Sequence, residues 1–281
     1  MIKLFSWLLI GVNTLLNLAG IPMRPNPYRT VDMSKFGPEP VWREEFDGGA
    51  LDRATWQGHY MWGSAPTPRR DGYWDYDMCE VTGGALHIKT AYMPEGMNGG
   101  PAGWYSCGID TGASYRQTYG YFETRCILPK GGGLWSAFWL YCEGVCDTAG
   151  QGEDGTEIDI FESGFYNQKL KCMRSAVSGC LHWNGYEEAH QSIWGKHFAV
   201  TGGDPYEEFH TYGLEWNAKE YIWYIDGMEY HRSSKGGVSK VPEFIILSVE
   251  TKLDGWTKDI NETTGAPTDY VVDYVRVWEY Q

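Results

Sequence analysis

Basic residues are scarce in this chain. Its 281 residues hold 23 Lys and Arg against 37 Asp and Glu, a formal net charge of −14. Such a field repels phosphate backbones and anionic membrane surfaces, which disfavours nucleic acid as a partner. Amphipathic helices are also missing, since no long stretch after Met33 repeats its apolar residues with a helical period. The chain has neither an internal repeat nor a low-complexity tract. It has no H-E-x-x-H and no paired C-x-x-C, so the common zinc patterns are absent. The 7 cysteines are an odd number, leaving at least one unpaired unless it bonds another chain. Cys142 and Cys146 suit a local disulfide or two free thiols better than a metal.

Turn residues are plentiful. The 36 glycines and 13 prolines punctuate short aromatic or β-branched runs, the pattern of strands joined by turns. Asp226-Gly227 separates Tyr221–Ile225 from Met228–Tyr230, and both turn residues tolerate the positive φ a tight hairpin needs. One large all-β domain, a two-sheet sandwich, is the expected architecture. The 14 tryptophans and 20 tyrosines exceed what such a core needs. Aromatic faces stack on sugar rings while their polar edges stay wet, so the excess points to a saccharide cleft.

The most telling stretch is Glu157-Ile158-Asp159-Ile160-Phe161-Glu162. Its β-branched and aromatic residues read as a buried strand. Alternation puts Glu157 and Asp159 on one face but sends Glu162 to the other. A β-bulge, with its extra residue, restores the parity and lines up all three acids. Crowded carboxylates raise one another's pKa. Glycoside hydrolysis uses that asymmetry, because it needs one ionised carboxylate and one protonated carboxyl. Same-face neighbours on a strand are roughly 6.5–7 Å apart at Cα. A retaining pair sits at ~5–5.5 Å, so the geometry permits convergence of Glu157 and Glu162 without requiring it. The plain alternative is a half-exposed strand with an acidic solvent face.

The surrounding motifs weigh against that alternative. Upstream lie Tyr119-Gly120-Tyr121-Phe122-Glu123-Thr124-Arg125 and Gly133-Leu134-Trp135-Ser136-Ala137-Phe138-Trp139-Leu140. Downstream come Leu181-His182-Trp183, Phe209-His210-Thr211-Tyr212-Gly213-Leu214-Glu215-Trp216 and Asp273-Tyr274-Val275-Arg276-Val277-Trp278. With these five motifs in order, Val41 to Tyr280 resembles glycoside hydrolase family 16, in its laminarinase-like branch with the bulged E-x-D-x-x-E signature. Departures are Ser136, where many members have proline, and the loop Tyr141 to Thr156 with its two cysteines.

The resemblance implies a β-jelly-roll with a concave substrate cleft. It makes Glu157 the nucleophile and Glu162 the general acid/base, an order that local chemistry leaves open. Asp159 is expected to hydrogen-bond within the trio, holding Glu157 ionised and Glu162 protonated. Trp135, Ala137 and Trp139 share one strand face, and the resemblance favours at least one of the tryptophans in the cleft over both in the core. Glu123 and Arg125, same-face neighbours, are read as sugar-binding, with a structural ion pair as the alternative. His182 and Trp183 are expected at the cleft, His210 in a structural role, and Trp256 as a far-subsite platform or a surface residue. Many relatives bind one structural calcium, for which the matching candidates are Glu45, the carbonyl near Gly84, and Asp273, all hard oxygen donors. Catalysis itself needs no cofactor.

Residues 1–21 are apolar with Lys3 as the sole charge. They read as a secretory signal peptide or as a membrane-anchor or interfacial helix, because Lys3, Ser6, Asn13, Thr14 and Asn17 form a polar stripe. Residues 22–40, with Pro22, Pro25, Pro27 and Pro38, read as a linker to the family 16 domain at 41–281. A secreted or cell-surface monomer, a retaining endo-β-1,3- or mixed β-1,3/1,4-glucanase, is expected. The net acidity weakly disfavours a heavily sulfated substrate. The alternatives are the same mechanism on a galactan such as agar or porphyran, and a non-catalytic glycan-binding module.

Overall fold

The computed structural model describes residues 2–58, 65–131, 133–164, 176–252 and 268–281. Trp256 lies outside the described residues. Two large sheets face each other. One runs Asn26–Thr30, Met228–Ser233, Tyr221–Ile225, His210–Trp216, Gly120–Ile127, Thr268–Trp278, Ala85–Met93, Gly103–Ser106, Gly72–Trp74 and Thr67–Arg69 in spatial order. The other runs Gln191–Trp194, Ala176–Trp183, Glu157–Glu162, Leu134–Tyr141, Phe244–Thr251, Gly108–Asp110 and Gln57–Gly58. Asp226 and Gly227 adopt the expected positive φ at the hairpin (49° and 70°). His210 is structural there, its Nδ1 sitting 2.8 Å from Asp226 Oδ2.

Alternation along each strand builds the core. Phe122, Thr124 and Cys126 point inward from one sheet, and Phe138, Leu140, Ile158, Ile160, Phe161, Leu247 and Val249 meet them from the other. Most of the aromatic excess fills this interior: Trp56, Trp74, Trp216 and Trp223 are fully buried. The composition therefore reflects the core more than a cleft.

Residues 22–40 are not a free linker. Met23 is buried in the core, with backbone bonds to His197 and Ala199, and Phe36 packs against Tyr121 and Tyr280. Apolar side chains at these two positions fasten the proline-rich stretch to the sandwich. Ahead of it, helix Ile2–Leu18 half-buries Ser6, Leu9, Asn13 and Leu16 and leaves Trp7, Leu8, Ile10, Leu15 and Leu18 exposed. Asn13 caps this contact by exchanging two hydrogen bonds with the Arg24 backbone. Among the described residues no helix is long and apolar enough to cross a membrane.

Candidate active site

The bulge expected on Glu157–Glu162 is present. Its neighbour pairs Trp139 with Asp159 but Phe138 with Phe161, leaving Ile160 as the extra residue. Both Ile160 and Phe161 enter the core as a result, and Glu162 returns to the face of Glu157 and Asp159. Two buried side chains from the opposite sheet hold the distortion: Trp223 donates to the Asp159 carbonyl and Tyr230 to the Ile160 carbonyl, each at 2.8 Å.

The three acids floor a cavity of about 310 Å³ walled by Trp135, Trp139, Tyr141, Tyr186, Arg69, Arg70 and Glu250. Trp135 Nε1 donates to Glu162 at 2.8 Å, and Trp139 Nε1 to Ser248 at 3.1 Å. Tyr186 donates its hydroxyl to Oε2 of Glu157. Burial, reinforced by mutual repulsion and by Glu250, raises Glu157 and Glu162 to about 7 each. Tyr186 opposes the rise at Glu157, while Cys180 and Trp135 oppose it at Glu162. Close acids of similar affinity titrate as a pair, so near neutrality they share one proton. Burial, followed by the charges of Glu162 and Glu157, pushes Asp159 well up as well. Its Oδ2 has no hydrogen-bond partner, and among the described residues no hydrogen bond joins the three carboxylates. The expected hydrogen bonding by Asp159 within the trio is thus not formed here.

His182 stands behind the acids, Nε2 3.5 Å from Asp159 and 4.0 Å from Glu157. Its Nδ1 meets His190 Nε2 at 2.9 Å, and burial lowers its pKa to about 4, so the imidazole is neutral. Trp183 points the opposite way, into the core against Gly236. The aromatic on this rim is instead Trp194, exposed and edge-on to His182 at 5.6 Å. Glu123 and Arg125 lie on the outer face of the other sheet, away from the cavity. Tyr121 and Tyr274 hydroxyls hold Glu123, and Arg125 pairs with Asp273 at 2.6 Å. The pairing takes Asp273 from the calcium set, and Arg276 grips Glu45 with two hydrogen bonds. Two guanidiniums beside these acids make the Glu45, Gly84 and Asp273 neighbourhood a poor fit for a divalent cation.

The sequence reading missed Tyr186, Trp194, Arg69, Arg70 and Glu250. Arg69 and Arg70 both pair with Glu250, and Arg70 also lies 4.8 Å over the Trp135 ring. A short arm brings them there, and it passes so close to Thr251 that only glycine fits at Gly72. A larger groove of about 830 Å³ lies elsewhere, but its buried Glu215 is already held by Lys35, Tyr224 and Tyr280. Its other acids, Glu220 and Glu229, are paired with Arg232 and Arg29. Cys142 and Cys146 are unbridged, as are the other cysteines among the described residues.

Residues 71–276 match the profile of glycosyl hydrolases family 16. The chain belongs to that family. The family 16 chain is 27% identical over 261 residues to a beta-glucanase of Rhodothermus marinus, covering 86% of this chain and 85% of that one. It is 28% identical to beta-porphyranase B of Zobellia galactanivorans, over 84% of this chain and 82% of the other. Its fold superposes on the laminarinase catalytic domain of Thermotoga maritima with a TM-score of 0.67 at 29% identity, covering 86% and 98% of the two chains. The corresponding endo-1,3-beta-glucanase domain of Thermotoga petrophila gives 0.69 at 28% identity, covering 88% and 99%. A family 16 chain is a glycoside hydrolase, and the jelly-roll architecture agrees.

Proposed function

We propose that this enzyme is a retaining endo-glucanase acting on β-1,3- or mixed β-1,3/1,4-glucan. The observation that carries the reading is the bulged strand, which turns Glu157, Asp159 and Glu162 into one buried cavity with raised pKa values. In the first step Glu157 attacks the anomeric carbon while Glu162 gives its proton to the departing glycosidic oxygen. A glycosyl ester forms and the C–O bond to the leaving sugar breaks. Water then attacks that carbon, yields a proton to Glu162, and frees the Glu157 carboxylate. Asp159, buried between the two glutamates on the same strand face, raises the cost of ionising both and so favours the singly protonated pair. Trp135, part-exposed on the cavity wall, offers a ring face for sugar stacking, while the nearly buried Trp139 backs the wall.

Two guanidiniums in the cleft favour a second reading, an anionic galactan, supported by the likeness to a porphyranase. Glu250 between them reduces that positive field. Reducing-sugar release from laminarin, barley glucan, lichenan, agarose and porphyran, with Glu157→Gln as control, decides between the two. Glucan hydrolysis lost in the variant is the expected result. Activity confined to galactans overturns the substrate, and near-native activity in Glu157→Gln overturns the catalytic assignment. The enzyme acts outside the cell, where such a polymer is met. Residues 1–21 serve as the targeting or interfacial segment, a reading supported by the outward apolar face of their helix.

A further inference from the structure

The strand Ala176–Trp183 runs beside the acid-bearing strand and pairs Cys180 with Asp159 and His182 with Glu157. Parity therefore turns Cys180 and His182 toward the same face as the acids. One ligand atom each from Asp159, Cys180 and His182 lies within 4.8 Å of the others. Asp159 is 4% exposed, and its Oδ2 has no hydrogen-bond partner. That orphan oxygen sits 3.5 Å from Nε2 of His182, whose other ring nitrogen is fixed by His190. Glu162 Oε2, also buried and unpartnered, is a candidate fourth donor.

We propose that Asp159, Cys180 and His182 form a binding site for a thiophilic divalent cation of the zinc type, and that occupancy shuts off the proposed hydrolysis. Thiolate, imidazole and carboxylate are the donors zinc prefers, and a tetrahedral ion with bonds of about 2.0–2.3 Å needs only modest closure of these atoms. The His190 contact supplies the outer-sphere partner such a histidine ligand usually has. Binding breaks the Cys180 S–H bond and releases any proton held on Asp159, both protons leave to buffer, and sulfur–metal and oxygen–metal bonds replace them. The ion then ties down Asp159 beside Glu162, where the leaving oxygen must be protonated. Calcium and magnesium, which prefer oxygen donors, do not substitute.

The proposal rests on the glucanase reading for its inhibitory half only, so binding is measured separately. Chelator-treated full-length enzyme is titrated with Co²⁺, whose thiolate charge-transfer and tetrahedral d–d absorption report directly on a cysteine-containing site. One equivalent with both signatures is expected, and both are lost in Cys180→Ser and His182→Gln. Cys180→Ala carries the same test if the serine variant does not fold. Zn²⁺ at ten times its dissociation constant should leave about a tenth of wild-type activity, while Cys180→Ser keeps most of its own metal-free rate. Absence of a cobalt–thiolate band in wild type, or an unchanged band in Cys180→Ser, overturns the site. An enzyme silent on every glucan would overturn the function while leaving the cobalt titration readable.

Discussion

Tyr186 reaches the acids from the loop after Ala176–Trp183 and donates its hydroxyl to Glu157, the proposed nucleophile. Tyr186→Phe removes that donor and keeps the ring. A hydrogen bond to a charged group contributes ~1.5–3 kcal/mol, and one pKa unit is about 1.4 kcal/mol. Tyr186 is about half exposed, so water replaces part of the lost bond and the low end of the range applies. Glu157, already raised chiefly by burial, should then rise by about one further unit. A carboxylate that must be ionised to attack becomes protonated at higher pH. Because the two glutamates share one proton, this shift moves that proton onto the nucleophile: kcat/KM on the acid slope should fall by about tenfold and at the optimum by roughly fivefold, while the apparent acid limb moves up by only a few tenths of a unit. The basic limb, which reports loss of the last shared proton, should move up by roughly 0.7 units. The assay is kcat/KM on a soluble glucan from pH 4 to 9, on the order of one point per half unit. A uniform loss at every pH, with both limbs in place, would refute the electrostatic role and leave Tyr186 as a wall of the cleft.

Three further outcomes are expected. Burial raises Glu243 from 4.5 to about 8, so its contribution to stability is complete below about pH 4.5 and is lost as pH rises through about 8. Glu243→Gln should consequently gain in unfolding free energy over wild type as pH climbs from 5 to 9, by on the order of a few kcal/mol, and a constant gap across that range would contradict the argument. Tyr230→Phe deletes one hydroxyl from the bulge carbonyl of Ile160; it should destabilise by about 1–2 kcal/mol and lower kcat, and an unchanged kcat in a folded variant would show that the bulge holds without it. Arg125→Ala, on the outer sheet, should leave kcat/KM on glucan unaltered and shift stability by less than about 1 kcal/mol, whereas a raised KM would return it to the binding surface.

Local rules read the catalytic-type strand well. Glu157 to Glu162 declares its bulge because three acids on one face and three apolar residues in the core cannot coexist on a regular strand. Trp135 and Trp139 follow from parity along their own strand. Parity also argues against Trp183 once His182 is placed at the cleft, since adjacent strand residues face opposite ways. Glu123 and Arg125 could not be placed in that manner, because nothing local tells which sheet a strand joins. Arg69, Arg70 and Glu250 meet only in three dimensions, at separations of about 180 residues. Tyr186 and Trp194 sit in segments whose composition resembles any polar loop or edge. The prolines before residue 40 suggest extended chain, but whether extended chain hangs free or lies against a sheet depends on partners far away in sequence.

The strand Asn26–Thr30 occupies the rim of the larger sheet, where it shields Met228–Ser233. It is short, carries Pro27 and keeps an irregular register, three features that make a poor template for another molecule's strand. Cutting the chain at residue 40 to tidy an expression vector would uncover the longer, proline-free edge Met228–Ser233 and would remove the buried Met23 and Phe36. The shortened protein would be prone to stack edge to edge in solution. The stretch ahead of the domain thus acts as a guard against self-association, and a soluble preparation of this enzyme should begin no later than Pro22.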